Sequence, residues 1–177
     1  MQIIKITDNF YQLVDVFSDT TLQKIHNCFQ DKSIFSKKWQ GEYYRLEAGQ
    51  FDQTVINTIK TELSPAREFA ENTLGEKLYP NNTQLWEDFD GYLNLPHKDV
   101  SKNLTANIQV YVLPGDESMG TAIIENGIAT SVPYKYNCGY MMMHPTEIEH
   151  GMTAPVKDRR MSIYQSYRNT VVGVSEW

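Results

Sequence analysis

Apolar positions recur at helical spacing only in the first half of the chain. In "SDTTLQKIHNCFQ", Leu22, Ile25 and Phe29 fall on one face of a helix that Ser18 or Asp19 can cap. "TVINTIKTELSPAREFAENTLG" repeats the pattern, with Val55, Ile56 and Ile59 as the stripe. Pro65 either kinks that segment or opens a second helix, and Gly75 marks its end. "KWQGEYYRLEA", between the helical stretches, is strand-like. After Pro80 the texture changes to short runs of strand character: "TQLWEDF", "NIQVYVL", "GTAIIE", "YMMMHP" and "MSIYQSY". Turn signals separate them, among them "LPGDESMG", "ENG" and "YNCG". Met141, Met142 and Met143 are adjacent, so on a strand they alternate faces and read as buried packing rather than a soft-metal site. Helices followed by a string of strands predict an α+β fold. The expected form is an antiparallel barrel or double sheet with helices on one side, as a single domain over 1–177.

Composition changes this picture little. A chain of 177 residues with 41% hydrophobic and 21% charged content is long enough for a real core. The net charge of −6 works against non-specific binding to nucleic acid or anionic membranes, and neither is expected as a partner. No apolar run approaches the ~18–20 residues of a membrane span. The opening "MQIIKITDNFYQ" turns polar too soon for a secretory signal, so a cytoplasmic location is expected. Cys28 and Cys138 then read as free, packed thiols. With no HExxH and no paired-cysteine pattern, zinc hydrolysis has no residues to stand on.

The chemistry concentrates around "NLPHKDV". His97 and Asp99 are two residues apart, and on a strand side chains at i and i+2 project to the same face. One ion could take a nitrogen and a carboxylate from this segment and a third ligand from a distant strand. His150 and His144 are the candidates for that ligand; His26 belongs to the first helix, far from both. His150 is followed by "GMTAPVKDRRMSIYQSYR", which places Arg160 ten residues on, opening a strand as Arg160–Met161–Ser162. Two histidines and one carboxylate suit non-haem Fe(II) with positions left open. An arginine can hold a dicarboxylate through a bidentate ion pair.

Taken together, these segments resemble the 2-oxoglutarate- and Fe(II)-dependent oxygenases, in particular the compact prolyl-4-hydroxylase-like branch. "ITDNFYQLVDVFSDTTLQKI" is similar to that branch's opening strand and first helix, and "YLNLPHKDV" to its first metal segment. "NIQVYVLPGDESMGT" resembles the next strand and its glycine-containing turn, and "IEHGMTAPVKDRRMSI" the distal histidine and the cosubstrate strand. The resemblance implies a mainly β fold, with a double-stranded β-helix (jelly-roll) core and N-terminal helices packed on one sheet. It implies Fe(II) held by His97, Asp99 and His150, with Arg160 pairing to the distal carboxylate of 2-oxoglutarate. Ser162 would assist Arg160, and Tyr111 matches a tyrosine that in some relatives hydrogen-bonds the same carboxylate. Arg159 is the rival anchor, since family spacing from the histidine varies by one, and only one of these neighbours on a strand can point inward.

The implied reaction uses O2 and couples oxidative decarboxylation of 2-oxoglutarate to hydroxylation of an unactivated C–H bond. The substrate is a peptidyl residue, proline among them, or a small metabolite. Asp99 favours hydroxylation over halogenation, because related halogenases replace that carboxylate with a small residue. Trp86, Tyr92 and Tyr134 are candidates to line the substrate mouth. Two departures bear on the substrate: a single glycine in Met119–Gly120–Thr121, and no glycine-rich run before "LPHKD". The main competing reading is a non-catalytic double-stranded β-helix module that binds a ligand or partner. Nucleic-acid demethylation fits less well, since Arg160 and Arg168 do not match the paired arginines of those relatives.

Overall fold

The structure, a computed structural model, describes residues 1–100 and 103–170. Its elements run β1 (Gln2–Lys5), β2 (Phe10–Val14), α1 (Asp19–Gln30), β3 (Ser36–Gln40), β4 (Tyr43–Ala48), α2 (Gln53–Glu62) and α3 (Ser64–Leu74). The second half holds β5 (Tyr79–Phe89), β6 (Ala106–Tyr111), β7 (Thr121–Glu125), β8 (Ile128–Val132), β9 (Cys138–Met143), β10 (Glu149–Met152) and β11 (Arg159–Arg168).

Local chemistry accounts for most boundaries. The Ser18 hydroxyl accepts from the Thr21 amide to start α1. The Asp52 carboxylate does the same for α2 through Thr54 and Val55. Pro65 begins a separate helix rather than kinking one, and Gly75 ends it with φ of +72°. "KWQGEYYRLEA" is not one strand but a hairpin, β3 and β4, turning at Gly41 with φ of +61°.

Eight strands form one antiparallel sheet in the order β1-β2-β9-β6-β11-β5-β4-β3, and a second, three-stranded sheet runs β10-β7-β8. One face of the large sheet meets the helices. There Leu85, Ile108, Val110, Met141, Met143, Met161 and Ile163 pack against Leu22, Ile25, Phe29, Val55 and Ile59. The other face meets the small sheet, where Phe10, Tyr111, Tyr140 and Met142 pack with Ile123, Val132 and Met152. The three methionines of β9 thus divide between faces as their spacing requires.

The face toward the small sheet is not wholly apolar. Asn107, Gln109, Asp88, Arg160 and Ser162 all point that way from β6, β5 and β11, and all are buried. Burying so many polar groups is unfavourable unless each finds a partner or the sheet encloses a site. Both hold here: each finds a polar partner, and the two sheets enclose a cavity. Among the described residues, no helix is long and apolar enough to cross a membrane. Cys28 and Cys138 are free, and burial pushes both thiols up from the ordinary cysteine value, as expected of unreactive packing residues.

Candidate metal centre and cosubstrate cavity

A cavity of about 240 Å³ opens between the two sheets. It runs from His97, whose side chain is 39% exposed, inward to Arg160, which is 1% exposed.

His97 and His150 come together through backbone pairing. The His97 amide donates to the His150 carbonyl at 2.9 Å, and the His150 amide to the His97 carbonyl at 2.8 Å. The Met152 amide donates to the Asn94 carbonyl at 2.8 Å, extending the contact. Residues 94–97 therefore lie alongside β10 as an irregular segment joined to it by an isolated bridge at His97. Gly151 makes this possible: a Cβ there would sit 2.8 Å from the Asn94 carbonyl oxygen and from the Pro96 Cα. Asp99 projects from the same segment and is tied down by its amide, which donates to the Pro145 carbonyl.

The result is a cluster in which one ligand atom each from His97, Asp99 and His150 lies within 4.8 Å of the others. Asp99 Oδ1 is 3.6 Å from His97 Nε2 and 3.8 Å from His150 Nε2. Both imidazoles are oriented in the same way. His97 Nδ1 donates to the Leu95 carbonyl at 2.8 Å, and His150 Nδ1 to the Ile148 carbonyl at 3.0 Å. A carbonyl can only accept, so each ring carries its proton on Nδ1 and presents the Nε2 lone pair toward Asp99. That is the tautomer a metal ligand needs, fixed before any ion arrives. Asp99 Oδ2 accepts from Asn107 at 3.3 Å, which leaves Oδ1 facing the two Nε2 atoms. The Asp99 carboxylate, 3.6 Å away, raises the His97 pKa, while burial lowers that of His150. His144 is not part of the cluster. It ends β9 in a left-handed conformation with φ of +53°, its amide held by the Thr105 carbonyl.

At the inner end, Arg160 Nη1 donates to Asp88 at 2.8 Å and Nη2 to the Thr121 hydroxyl at 3.3 Å; its buried Nε has no partner among the described residues. Arg159 takes the opposite face. It pairs with Glu87, which is fully buried on the helix side and also bound by Lys32 at 2.5 Å. Tyr111 and Ser162 stand near Arg160 without lining the cavity. The Tyr111 ring lies 5.1 Å from the guanidinium, and its hydroxyl donates to Thr121 at 3.2 Å. Ser162 Oγ accepts from Gln109 at 2.7 Å. Of the three aromatic candidates, Trp86 lines the cavity, stacked on Tyr164 at 4.3 Å. Tyr92 lies against Arg45, and Tyr134 is fully buried, its hydroxyl accepting from the Met161 amide.

Sequence reasoning missed Arg45, Asp88 and Thr121. Arg45 and Asp88 are cross-strand partners on β4 and β5, and Asp88 also faces Arg160 on β11. Burial works against the Asp88 charge, but Arg45 first and Arg160 second outweigh it and hold the carboxyl below the ordinary aspartate value. The alternation in "YYRLEA" placed Arg45 opposite Leu46; nothing in it told a buried arginine from a solvated one.

No protein-family model and no curated protein matches the sequence. Solved structures do match by fold, and many are 2-oxoglutarate/Fe(II) oxygenases. A prolyl-4-hydroxylase from Pseudomonas putida superposes with a TM-score of 0.73 at 12% identity, over 92% of this chain and 93% of that one. A 2OG-Fe(II) oxygenase family oxidoreductase from Burkholderia pseudomallei gives 0.68 at 13%, over 92% and 85%. A Trichoplax adhaerens prolyl hydroxylase, solved with a hypoxia-inducible-factor oxygen-degradation-domain peptide, gives 0.73 at 12%, over 92% and 84%. The chain therefore has the fold of this oxygenase class, prolyl hydroxylases included.

Proposed function

We propose that this protein is a 2-oxoglutarate-dependent Fe(II) dioxygenase built on a double-stranded β-helix, and that it hydroxylates an unactivated C–H bond. The observation that carries this reading is one cavity lined by the His97, Asp99 and His150 cluster and by a buried guanidinium, Arg160. The donor set fits the group. Two neutral imidazoles and one carboxylate suit Fe(II) and leave coordination positions for a chelating cosubstrate and O2. With 2-oxoglutarate and O2, such an iron supplies oxidative decarboxylation and hydrogen abstraction from carbon.

The chain's own residues bind and orient. Leu95 and Ile148 carbonyls keep both histidines in the ligating tautomer, and Asn107 fixes Asp99. Arg160 offers its charge and the unpartnered Nε to the distal carboxylate of 2-oxoglutarate, and Thr121 holds one edge of the guanidinium. Tyr111 supports Thr121 from behind, and Ser162 holds Gln109 on the cavity wall. The small sheet covers the inner end and excludes water, which strengthens the ion pair there. Trp86 and Asn94 line the same cavity wall. The substrate is a peptidyl residue, as the peptide-bound Trichoplax hydroxylase suggests, or a small metabolite.

The test is an anaerobic titration with Fe(II) and 2-oxoglutarate, followed in the visible range. A weak charge-transfer band is expected only when both are present, and it is expected to vanish in His97→Ala. Wild-type protein that develops no band contradicts the reading.

A further inference from the structure

Charge counting becomes decisive where water is excluded, and the inner wall of the cavity holds three charges in a row. Arg45, Asp88 and Arg160 are successive cross-strand partners on β4, β5 and β11. Their exposures are 6%, 0% and 1%. Arg45 meets Asp88 with two hydrogen bonds, from Nε at 2.5 Å and from Nη2 at 3.3 Å. Arg160 reaches the same carboxylate with one, from Nη1 at 2.8 Å. Two cations thus share one anion. Glu47, two residues along β4 on the same face, makes no ion pair among the described residues, and Glu87 faces the helices with Lys32 and Arg159. Asp99, the other carboxylate lining the cavity, belongs to the histidine cluster, so among the described residues one positive charge on this wall is left buried without a paired anion, and such a charge is costly until an anion arrives.

Asp88 on its own would defeat the purpose of Arg160. A lone buried Arg160–Asp88 pair is neutral, and its carboxylate repels an incoming one. Arg45 removes this obstacle by taking up the Asp88 charge from the other side. Its guanidinium is held for that role over the Trp86 ring, 4.0 Å from the centroid, with the Tyr92 ring at 4.9 Å.

We propose that Arg45 is a positioning residue for cosubstrate binding: by neutralising Asp88, it leaves Arg160 one free unit of charge to hold the distal carboxylate of 2-oxoglutarate. Asp88 in turn fixes the orientation of Arg160. The inference rests on the dioxygenase reading above, because it takes 2-oxoglutarate as the ligand.

Calorimetric titration of the Fe(II)-loaded, oxygen-free protein with 2-oxoglutarate separates the two. Arg160→Gln and Arg45→Gln are each expected to weaken binding by roughly a hundredfold, the scale for breaking a buried charge pair. The double variant Arg45→Gln/Asp88→Asn removes one charge of each sign and frees Arg160 again. It is expected to bind within about tenfold of wild type. A merely structural role for Arg45 would leave the double variant at least as weak as the single. Affinity unchanged in Arg45→Gln overturns the inference and leaves the dioxygenase reading intact. If Arg45→Gln does not fold, the double variant decides alone: binding no tighter than in Arg160→Gln overturns the proposal. Wild-type protein that does not bind 2-oxoglutarate overturns both.

Discussion

Arg159 and Arg160 are chemically identical and adjacent, yet β11 sends them to opposite faces. Arg159 meets Glu87 on the helix side; Arg160 is buried in the cavity wall. Arg160→Ala is therefore expected to weaken 2-oxoglutarate binding by roughly a hundredfold or more, while Arg159→Ala leaves the affinity within a few-fold of wild type. Arg159→Ala is expected to act on stability instead, by about 1–2 kcal/mol, since Glu87 keeps only Lys32. Calorimetry and thermal denaturation of both variants check the split. The reverse pattern would assign the anchor to Arg159. At this scale the sequence was informative where spacing constrains geometry, as for His97 and Asp99 two residues apart. It was silent on Arg45 and Asp88, because alternation gives the face of a strand and not what covers that face.

Elements were legible where their caps or periods are strong. α1 and α2 bury the residues that their stripes predict, and Pro65 starts α3 as one of two openings its position allows. β8 and β10 were not. "IATSV" is largely exposed and shows no clean alternation, and becomes a strand through the Asn126–Gly127 turn, whose φ values of +53° and +77° close the β7–β8 hairpin. β10 is only four residues long, and its pairing with residues 94–97 is a tertiary event that no local pattern encodes. Gly151 is the physical condition for that pairing. Gly151→Ala forces the 94–97 segment off β10, because backbone atoms rather than a flexible side chain occupy the space. Metal affinity, measured by Mn(II) titration, is expected to fall by roughly 10–100-fold. Stability is expected to drop by about 1–3 kcal/mol. Unchanged metal affinity in this variant would show that the pairing does not position His97.

Across the whole molecule, the central strands of the large sheet are buried on both faces for two different reasons. Its helix side is an ordinary apolar core. Its other side mixes apolar packing against the small sheet with a polar wall around a cavity. In β6, "ANIQVY", every residue is buried although apolar and polar residues alternate. Read alone, that alternation suggests a strand with one wet face, and only the second sheet converts the polar face into a site. The fold is shared with solved oxygenases at 12–13% identity, as expected when the pattern of buried positions matters more than the identity of the core residues.

The central claim is that His97, Asp99, His150 and Arg160 serve one bound complex. A crystal structure grown without oxygen in the presence of Mn(II), as a redox-quiet stand-in for Fe(II), and 2-oxoglutarate tests it most directly. The account predicts a single anomalous peak bounded by the Nε2 atoms of His97 and His150 and Oδ1 of Asp99, with the far carboxylate of 2-oxoglutarate on Arg160. Metal bound elsewhere, or a cosubstrate carboxylate seated away from Arg160, would contradict it.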